Sequence, residues 1–325
     1  MPEVAGHEEH LAEIRRAAVR IRGHVRRTPL LSADLAPGLK IKPELLQRTG
    51  SFKARGAFNA VLSLLEREPD VPGVVTHSSG NHGQALACAA QAAGLRAVIV
   101  VPEGVTPAKI AGIRSFGATV VTEGVTYDNR DEIAEEIERT QGLRLIHPFD
   151  DWDVVHGAGT VGLEIHEDSS DAGVVVVPIG GGGQISGVAL ALRALSPGTV
   201  VIGVEPEGAD DAARSLRSGT LQSLDADPAT MAEGVKSKSI GLRNFEVIVG
   251  DRLVRDIVTV SEDDLKNALR VSWTRLKLAV EPTGALALAA YLTGQVPAGS
   301  ADHPTVLVLS GGNFDPATVA GLLSS

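Results

Sequence analysis

Four valines in a row, Val174–Val177, run through Pro178 and Ile179 into four glycines, Gly180–Gly183, and then into an apolar helical pattern, Ile185–Leu195. An unbroken β-branched run, with no polar alternation, suits a parallel strand covered on both faces. Glycines at the mouth of a helix present bare amides where the helix dipole favours an anion. Strand, glycine turn and helix in this order are one half of an α/β unit whose turn is built for a phosphate.

The rest of the chain repeats the alternation. Short apolar runs at Val74–Val75, Ala97–Val101, Ala118–Val121, Leu143–Ile146, Val200–Val204 and Val306–Leu309 are separated by amphipathic stretches such as Gln84–Ala93, Lys109–Phe116 and Arg130–Arg139. The pattern predicts an α/β fold with right-handed crossovers and open, doubly wound, mostly parallel sheets. An N-terminal helix places Leu11, Ile14, Ala18 and Ile21 on one face. Helices over about Glu262–Leu278 and Thr283–Leu292 flank Val280-Glu281-Pro282-Thr283-Gly284. At 325 residues the chain can form one large domain or two closely packed ones. Its net charge of −10 argues against nucleic acid or an anionic membrane as partner. No apolar run reaches the ~20 residues that span a bilayer, and the N-terminus lacks the apolar region of a secretory signal. A cytoplasmic protein is expected. Cys88 is the only cysteine, which excludes an internal disulfide, and its small apolar neighbours Ala85–Ala93 mark a packed helix residue.

In open α/β sheets, ligands bind beyond the carboxyl ends of the strands. Three loops occupy that position: Thr76-His77-Ser78-Ser79-Gly80-Asn81-His82-Gly83 after Val75, Pro178 to Gly183 after Val177, and Ser310-Gly311-Gly312-Asn313 after Leu309. They are expected to converge. The glycine loop is no dinucleotide fingerprint, because Ile185 or Ser186 stands where the last glycine of G-x-G-x-x-G belongs. A fourth element, Thr49-Gly50-Ser51-Phe52-Lys53-Ala54-Arg55-Gly56-Ala57, opens a helix running to about Leu65. Among the lysines only Lys53 sits with small residues beside an aromatic at a helix start, where dipole and desolvation both favour the neutral amine that attacks a carbonyl.

Together these residues resemble fold type II pyridoxal-phosphate enzymes, within them the threonine dehydratase and serine racemase group, whose fold is similar to that of the tryptophan synthase β chain. The likeness runs from Arg27-Thr28-Pro29-Leu30 to Ser310-Gly311-Gly312-Asn313 and rests on Gly50-Ser51-Phe52-Lys53-Ala54-Arg55-Gly56, Ser78-Ser79-Gly80-Asn81-His82-Gly83 and the tetraglycine. His147-Pro148-Phe149-Asp150-Asp151 looks like the dehydratases more than the racemases. The segment Ala36–Pro43 is shorter than the family's helix and strand there. The resemblance implies that Lys53 carries pyridoxal 5′-phosphate and removes the substrate α-proton. It places Phe52 and Asn81 against the ring, Gly180, Gly181, Gly182 and Gly183 around the phosphate, and Ser310 facing the pyridine nitrogen. A serine there, in place of a carboxylate, favours loss of the β-hydroxyl over transamination. The expected reaction turns L-threonine or L-serine into 2-oxobutanoate or pyruvate plus ammonia.

Other positions divide the alternatives. Ser78, Ser79, Asn81, His82 and Arg130 are the expected substrate contacts. Ser79 matches the serine that delivers a proton to the opposite face in serine racemases; its bland role is a carboxylate contact or a cap for a helix beginning near Gly83. Arg130 matches a racemase-group arginine that reaches the substrate on closure; a solvent-facing helix arginine is the alternative. An inward Arg130 keeps a second substrate carboxylate possible, as in 3-hydroxyaspartate. Glu205, Asp211 and the carbonyl of Ala209 match a divalent-cation site whose oxygen ligands suit magnesium, calcium or manganese; an acidic helix start is the rival. Residues 74–149 are expected to form a small mobile domain, and residues 1–73 with 150–325 the large cofactor-binding one. The resemblance also implies a homodimer or homotetramer, and the stop at Ser325 suggests a short, catabolic-type dehydratase. A β-replacement synthase and, more distantly, a nicotinamide-dependent oxidoreductase are the alternative activities.

Overall fold

The computed structural model describes residues 4–315 and 319–322. In chain order its strands are β1 (Leu31–Ser32), β2 (Leu39–Pro43), β3 (Gly73–His77), β4 (Arg96–Val100), β5 (Thr119–Val121), β6 (Arg144–Leu145), β7 (Val174–Pro178), β8 (Val200–Pro206), β9 (Asp256–Val260) and β10 (Thr305–Leu309). They form two sheets, one of order β1-β2-β10-β7-β8-β9 and one of order β5-β4-β3-β6. Every pairing is parallel except β1 with β2. The expected α/β architecture of two mostly parallel sheets is the one observed.

The unbroken valine runs have a direct cause. Val174 and Val176 enter one apolar cluster with Leu307 and Leu309, while Val175 and Val177 enter a second with Val306 and Val308. Each strand is buried on both faces, so its two-residue period selects no polar positions. The smaller sheet is covered likewise, with Val74 and Ile99 on one side and Val75, Val98 and Val100 on the other.

The longer helices follow the periodic segments: α1 (Val4–Arg20), α2 (Lys53–Arg67), α3 (Asn81–Ala93), α4 (Pro107–Arg114), α5 (Arg130–Gln141), α6 (Trp152–Asp168), α7 (Gly183–Leu195), α8 (Asp211–Ser218), α9 (Leu242–Phe245), α10 (Glu262–Val271) and α11 (Pro282–Leu292). α1 buries Leu11, Ile14, Ala17 and Ile21, so Ala17 completes the stripe in place of Ala18. The helix expected over Glu262–Leu278 stays α-helical to Val271 and then loosens into a π turn, Ser272–Leu276.

Of the elements that escaped the sequence reading, three are instructive. α6 carries Gly157, Gly159 and Gly162, which look like breakers. A Cβ on Gly157 would come within 2.5 Å of the Arg55 carbonyl, and one on Gly159 within 2.9 Å of the Gly187 carbonyl, so the glycines let α6 cross α2 and α7 closely. β9 is an edge strand with polar Asp256 and Thr259. β2, in the shortened segment Ala36–Pro43, carries Lys40 and Lys42 among apolar residues, yet Lys42 points inward.

Lys42 is tolerated because it joins a closed ionic network. Its ammonium donates to Glu164 (2.6 Å) and to the Thr28 carbonyl (2.8 Å). Arg55 donates to Glu44 (2.7 and 2.8 Å) and to Glu164 (2.7 and 2.9 Å), and Thr28 Oγ1 donates to Glu44 (2.6 Å). Two cations and two carboxylates balance inside the protein, fastening β2, α2 and α6 together. No helix among the described residues is long and apolar enough to cross a membrane.

Candidate active site

The ends of β3, β7 and β10 and the start of α2 meet at Lys53. Phe52 N–H donates to the Ser310 carbonyl (3.0 Å), Gly312 N–H to the Gly50 carbonyl (2.9 Å), and Ser51 and Gly311 form an antiparallel bridge. Asn313 Nδ2 donates to the Thr49 carbonyl (2.6 Å) and to Asn81 Oδ1 (2.8 Å). Asn81 Nδ2 in turn donates to Glu281 Oε1 (2.7 Å). Lys53, Asn81 and Ser310, named from three distant motifs, thus share one hydrogen-bonded unit.

The glycine loop joins through Phe149. A Cβ on Gly181 would lie 2.1 Å from the Phe149 ring, and Asn244 Nδ2 ties the two by donating to the Phe149 carbonyl (3.0 Å) and the Gly181 carbonyl (2.7 Å). Gly182 sits at φ +92°, which only glycine adopts without strain, and from there the chain enters α7. That turn leaves the first amides of α7 without partners inside the helix.

Lys53 Nζ lies 2.7 Å from the Pro148 carbonyl and 5.1 Å from the centre of the Phe52 ring. Burial with no carboxylate beside it pushes the amine down to about 8. Three histidines crowd the same corner. His147, whose Nδ1 accepts from Asp150 N–H (2.8 Å), is pushed down to about 4 by burial and by His77. His82 is held well below its ordinary range by burial and by the charge of Lys53. His77 closes the strand, with its Nδ1 2.8 Å from Asp131 Oδ1. Glu281, which accepts from Asn81, is pushed up to about 7 by burial.

The other expected contacts fall around this core. Ser78 and Ser79 form the turn between β3 and α3, where Ser78 Oγ accepts from Gly80 N–H (3.4 Å). α3 begins at Asn81 behind Gly80, with no side-chain cap, so Ser79 does not cap it. Arg130 opens α5; its guanidinium packs over the Tyr127 ring (5.4 Å) with its side chain 23% exposed.

The chain matches the family described as pyridoxal-phosphate dependent enzyme over residues 21–311. It is 41% identical over 315 residues to human serine racemase, covering 94% of this chain and 91% of that one. The crystal structure of a T.th. threonine deaminase is 45% identical with a TM-score of 0.87, over 94% of this chain and 98% of that one. A pyridoxal 5′-phosphate-dependent aspartate racemase is 32% identical with a TM-score of 0.89, over 95% and 97%. The chain belongs to the pyridoxal-phosphate dependent enzyme family. It is a pyridoxal-phosphate enzyme, and its own residues fit that cofactor. Buried polar atoms without partners gather on the loops around Lys53: Thr49 Oγ1, Ser51 Oγ, both ring nitrogens of His82 and Asn244 Oδ1. Orphans of this kind concentrate where a polar ligand belongs.

Glu205, Ala209 and Asp211 form a separate group at the end of β8 and the start of α8. Glu205 accepts from Ala212 N–H (3.1 Å) and Ala213 N–H (2.9 Å), so the rival reading of an acidic helix start holds for this residue. Yet Asp211 Oδ2 is buried without a partner. Burial, reinforced by Asp211, drives Glu205 well above the carboxylate range, and burial drives Asp211 up to about 7. Two buried carboxylates with no cation between them fit an oxygen-ligated divalent ion.

Sequence reasoning missed Glu281, Asn244, Asp131 and the Pro148 carbonyl as site elements. Glu281 had a signal: it stands in Val280-Glu281-Pro282-Thr283-Gly284, directly before the proline that starts α11. Asn244 and Asp131 had none, because only the folded chain brings them to the loops.

Proposed function

We propose that this enzyme is a dehydratase of small β-hydroxy amino acids, converting L-threonine or L-serine to 2-oxobutanoate or pyruvate plus ammonia. The observation that carries the reading is the Lys53 amine, buried without a counter-charge between the glycine loop and the end of β10. Pyridoxal phosphate, when bound, supplies the electron sink that acidifies the substrate Cα–H bond. Lys53 Nζ holds the cofactor and, once the substrate amine has displaced it, accepts the α-proton as general base. The amides that open α7 bind the phosphate dianion. Asn81, fixed from both sides by Glu281 and Asn313, presents its amide to the ring hydroxyl. The Ser78–Gly80 turn and the amides opening α3 receive the substrate carboxylate. The β-hydroxyl leaves as water, and one water is returned when the released product hydrolyses to the 2-oxo acid and ammonia.

Ser310 supports elimination. The family resemblance sets its hydroxyl against the pyridine nitrogen, and a neutral hydroxyl stabilises a pyridinium far less than a carboxylate does. The likeness to threonine deaminase points the same way. A second reading, serine racemase activity in the same site, is favoured by the 41% identity to human serine racemase. Ser79 fits that role because the helix it precedes does not use it as a cap. Closure of residues 74–149 over the substrate is supported by two ion pairs with opposite polarity, Lys109 of α4 with Glu233 and Lys238 with Asp128 (3.1 Å).

The test is product analysis with L-serine and L-threonine. 2-Oxo acid release that Lys53→Ala abolishes supports the dehydratase, and D-serine formation lost in Ser79→Ala supports the racemase. A cofactor-loaded protein inert toward both amino acids contradicts the reading. Glu205, the Ala209 carbonyl and Asp211 are proposed to bind magnesium, calcium or manganese. Thorough chelation should then lower the melting temperature by roughly 5 °C, and an unchanged melting curve counts against the site.

A further inference from the structure

Asp131 stands between a histidine and an arginine. Its Oδ1 lies 2.8 Å from His77 Nδ1 and 3.4 Å from Arg130 Nε. His77 is buried at the last position of β3, directly before Ser78 and Ser79, so the carboxylate is anchored to the strand that carries the substrate turn. Although its partial burial works against it, the nearby His77 ring and Arg130 guanidinium hold the half-exposed Asp131 below the usual carboxylate range, so it stays ionised. Neither His77 Nδ1 nor Arg130 Nε makes a well-aligned hydrogen bond to Asp131, and the Arg130 guanidinium, farther from the carboxylate than the His77 ring, leans on Tyr127.

The group belongs to the corner already described. The His77 ring meets His147 edge-on at 5.2 Å, His147 meets Phe149 at 4.6 Å, and Lys53 bonds the Pro148 carbonyl between them. We propose that Asp131 determines which substrate charge this enzyme accepts, by occupying Arg130 and setting a fixed negative charge where a second substrate carboxylate would seek the guanidinium. A neutral β-hydroxy side chain meets no such opposition. A dicarboxylic substrate must displace Asp131 from Arg130 while being repelled by it, and an arginine pairs with only so many carboxylates. The inference rests on the active-site reading above and deepens it, by tying the choice between neutral and acidic substrates to one residue that touches neither.

The test compares the wild-type holoenzyme with Asp131→Asn and Asp131→Glu. Asparagine keeps an oxygen for His77 and removes the charge; glutamate keeps the charge. The readout is the ratio of kcat/KM for 3-hydroxy-L-aspartate to that for L-serine. The ratio is expected to be well below one in the wild type, to rise about tenfold in Asp131→Asn mainly through KM, and to fall back in Asp131→Glu. An unchanged ratio in a folded, cofactor-loaded Asp131→Asn protein overturns the proposal, as does a wild type that prefers 3-hydroxyaspartate. If no hydroxy amino acid is turned over, the dehydratase reading fails by itself. Spectral titration of the same two ligands then reads the binding ratio, with the same expected and contrary outcomes.

Discussion

Lys53 and Arg55 lie two residues apart at the start of α2, and their surroundings are opposite. Arg55 is enclosed by Glu44 and Glu164, which hold it charged despite complete burial. Lys53 has no carboxylate beside it, only the Pro148 carbonyl, the Phe52 ring and nearby histidines, and its amine falls to about 8. Burial is common to both. Compensation by carboxylates is what makes one a fastener between β2, α2 and α6 and the other an amine that can give up its proton near neutral pH.

Substitutions at the two positions should separate chemistry from stability. Lys53→Ala is expected to lower turnover by about 10³-fold or more, while the urea midpoint moves little. Arg55→Ala should do the reverse, lowering the unfolding free energy by about 3–5 kcal/mol because Glu44 is left buried without a counter-charge and Glu164 keeps only Lys42. A Lys53 variant that unfolds, or an Arg55 variant as stable as wild type, would erase the distinction.

The same contrast decides what the sequence reveals. Lys53, Asn81, Gly180–Gly183 and Ser310 are legible because each stands in a loop after a strand, where small and polar residues break an apolar pattern. The β7 and β10 runs are legible because both faces are apolar. Lys42 hides β2, since its partner Glu164 is 122 residues away and nothing local marks it as an inward side chain. α6 hides for a related reason: its glycines are explained only by the helices it crosses. Compensation and close approach are pairwise facts of the folded chain, and a single sequence does not display them.

Glu281 sharpens the comparison from the acidic side. Its carboxyl is pushed up to about 7 by burial, against an ordinary value near 4.5. Between those values the folded protein binds a proton that the unfolded chain has released, so this group's contribution to stability declines as pH rises through about 7. Glu281→Gln should therefore flatten the loss of stability between about pH 5 and 7 and remove an activity limb near pH 7. An unaltered pH profile in that variant would show that Glu281 does not titrate there.

The smallest effect concerns the pair at the N-terminal helix. His10 Nδ1 and His156 Nε2 are 2.9 Å apart against Trp152, and burial followed by the charge of His10 pushes His156 down to about 4. Here the unfolded chain binds the proton first, so stability from this pair is whole above about pH 6.5 and is lost as pH falls toward 4. His156→Asn should reduce that acid sensitivity by about 1–3 kcal/mol, read from urea unfolding at pH 7.5 and 5. Equal acid sensitivity in the two proteins would remove His156 from the account.

The central claim is that Lys53 carries the cofactor, and borohydride reduction of the yellow holoenzyme followed by peptide mass mapping tests it most directly. The account predicts a stable pyridoxyl-phosphate adduct on the peptide containing Lys53, and no covalent adduct with Lys53→Ala. An adduct on another lysine, or a Lys53→Ala protein labelled to the same extent, would contradict it.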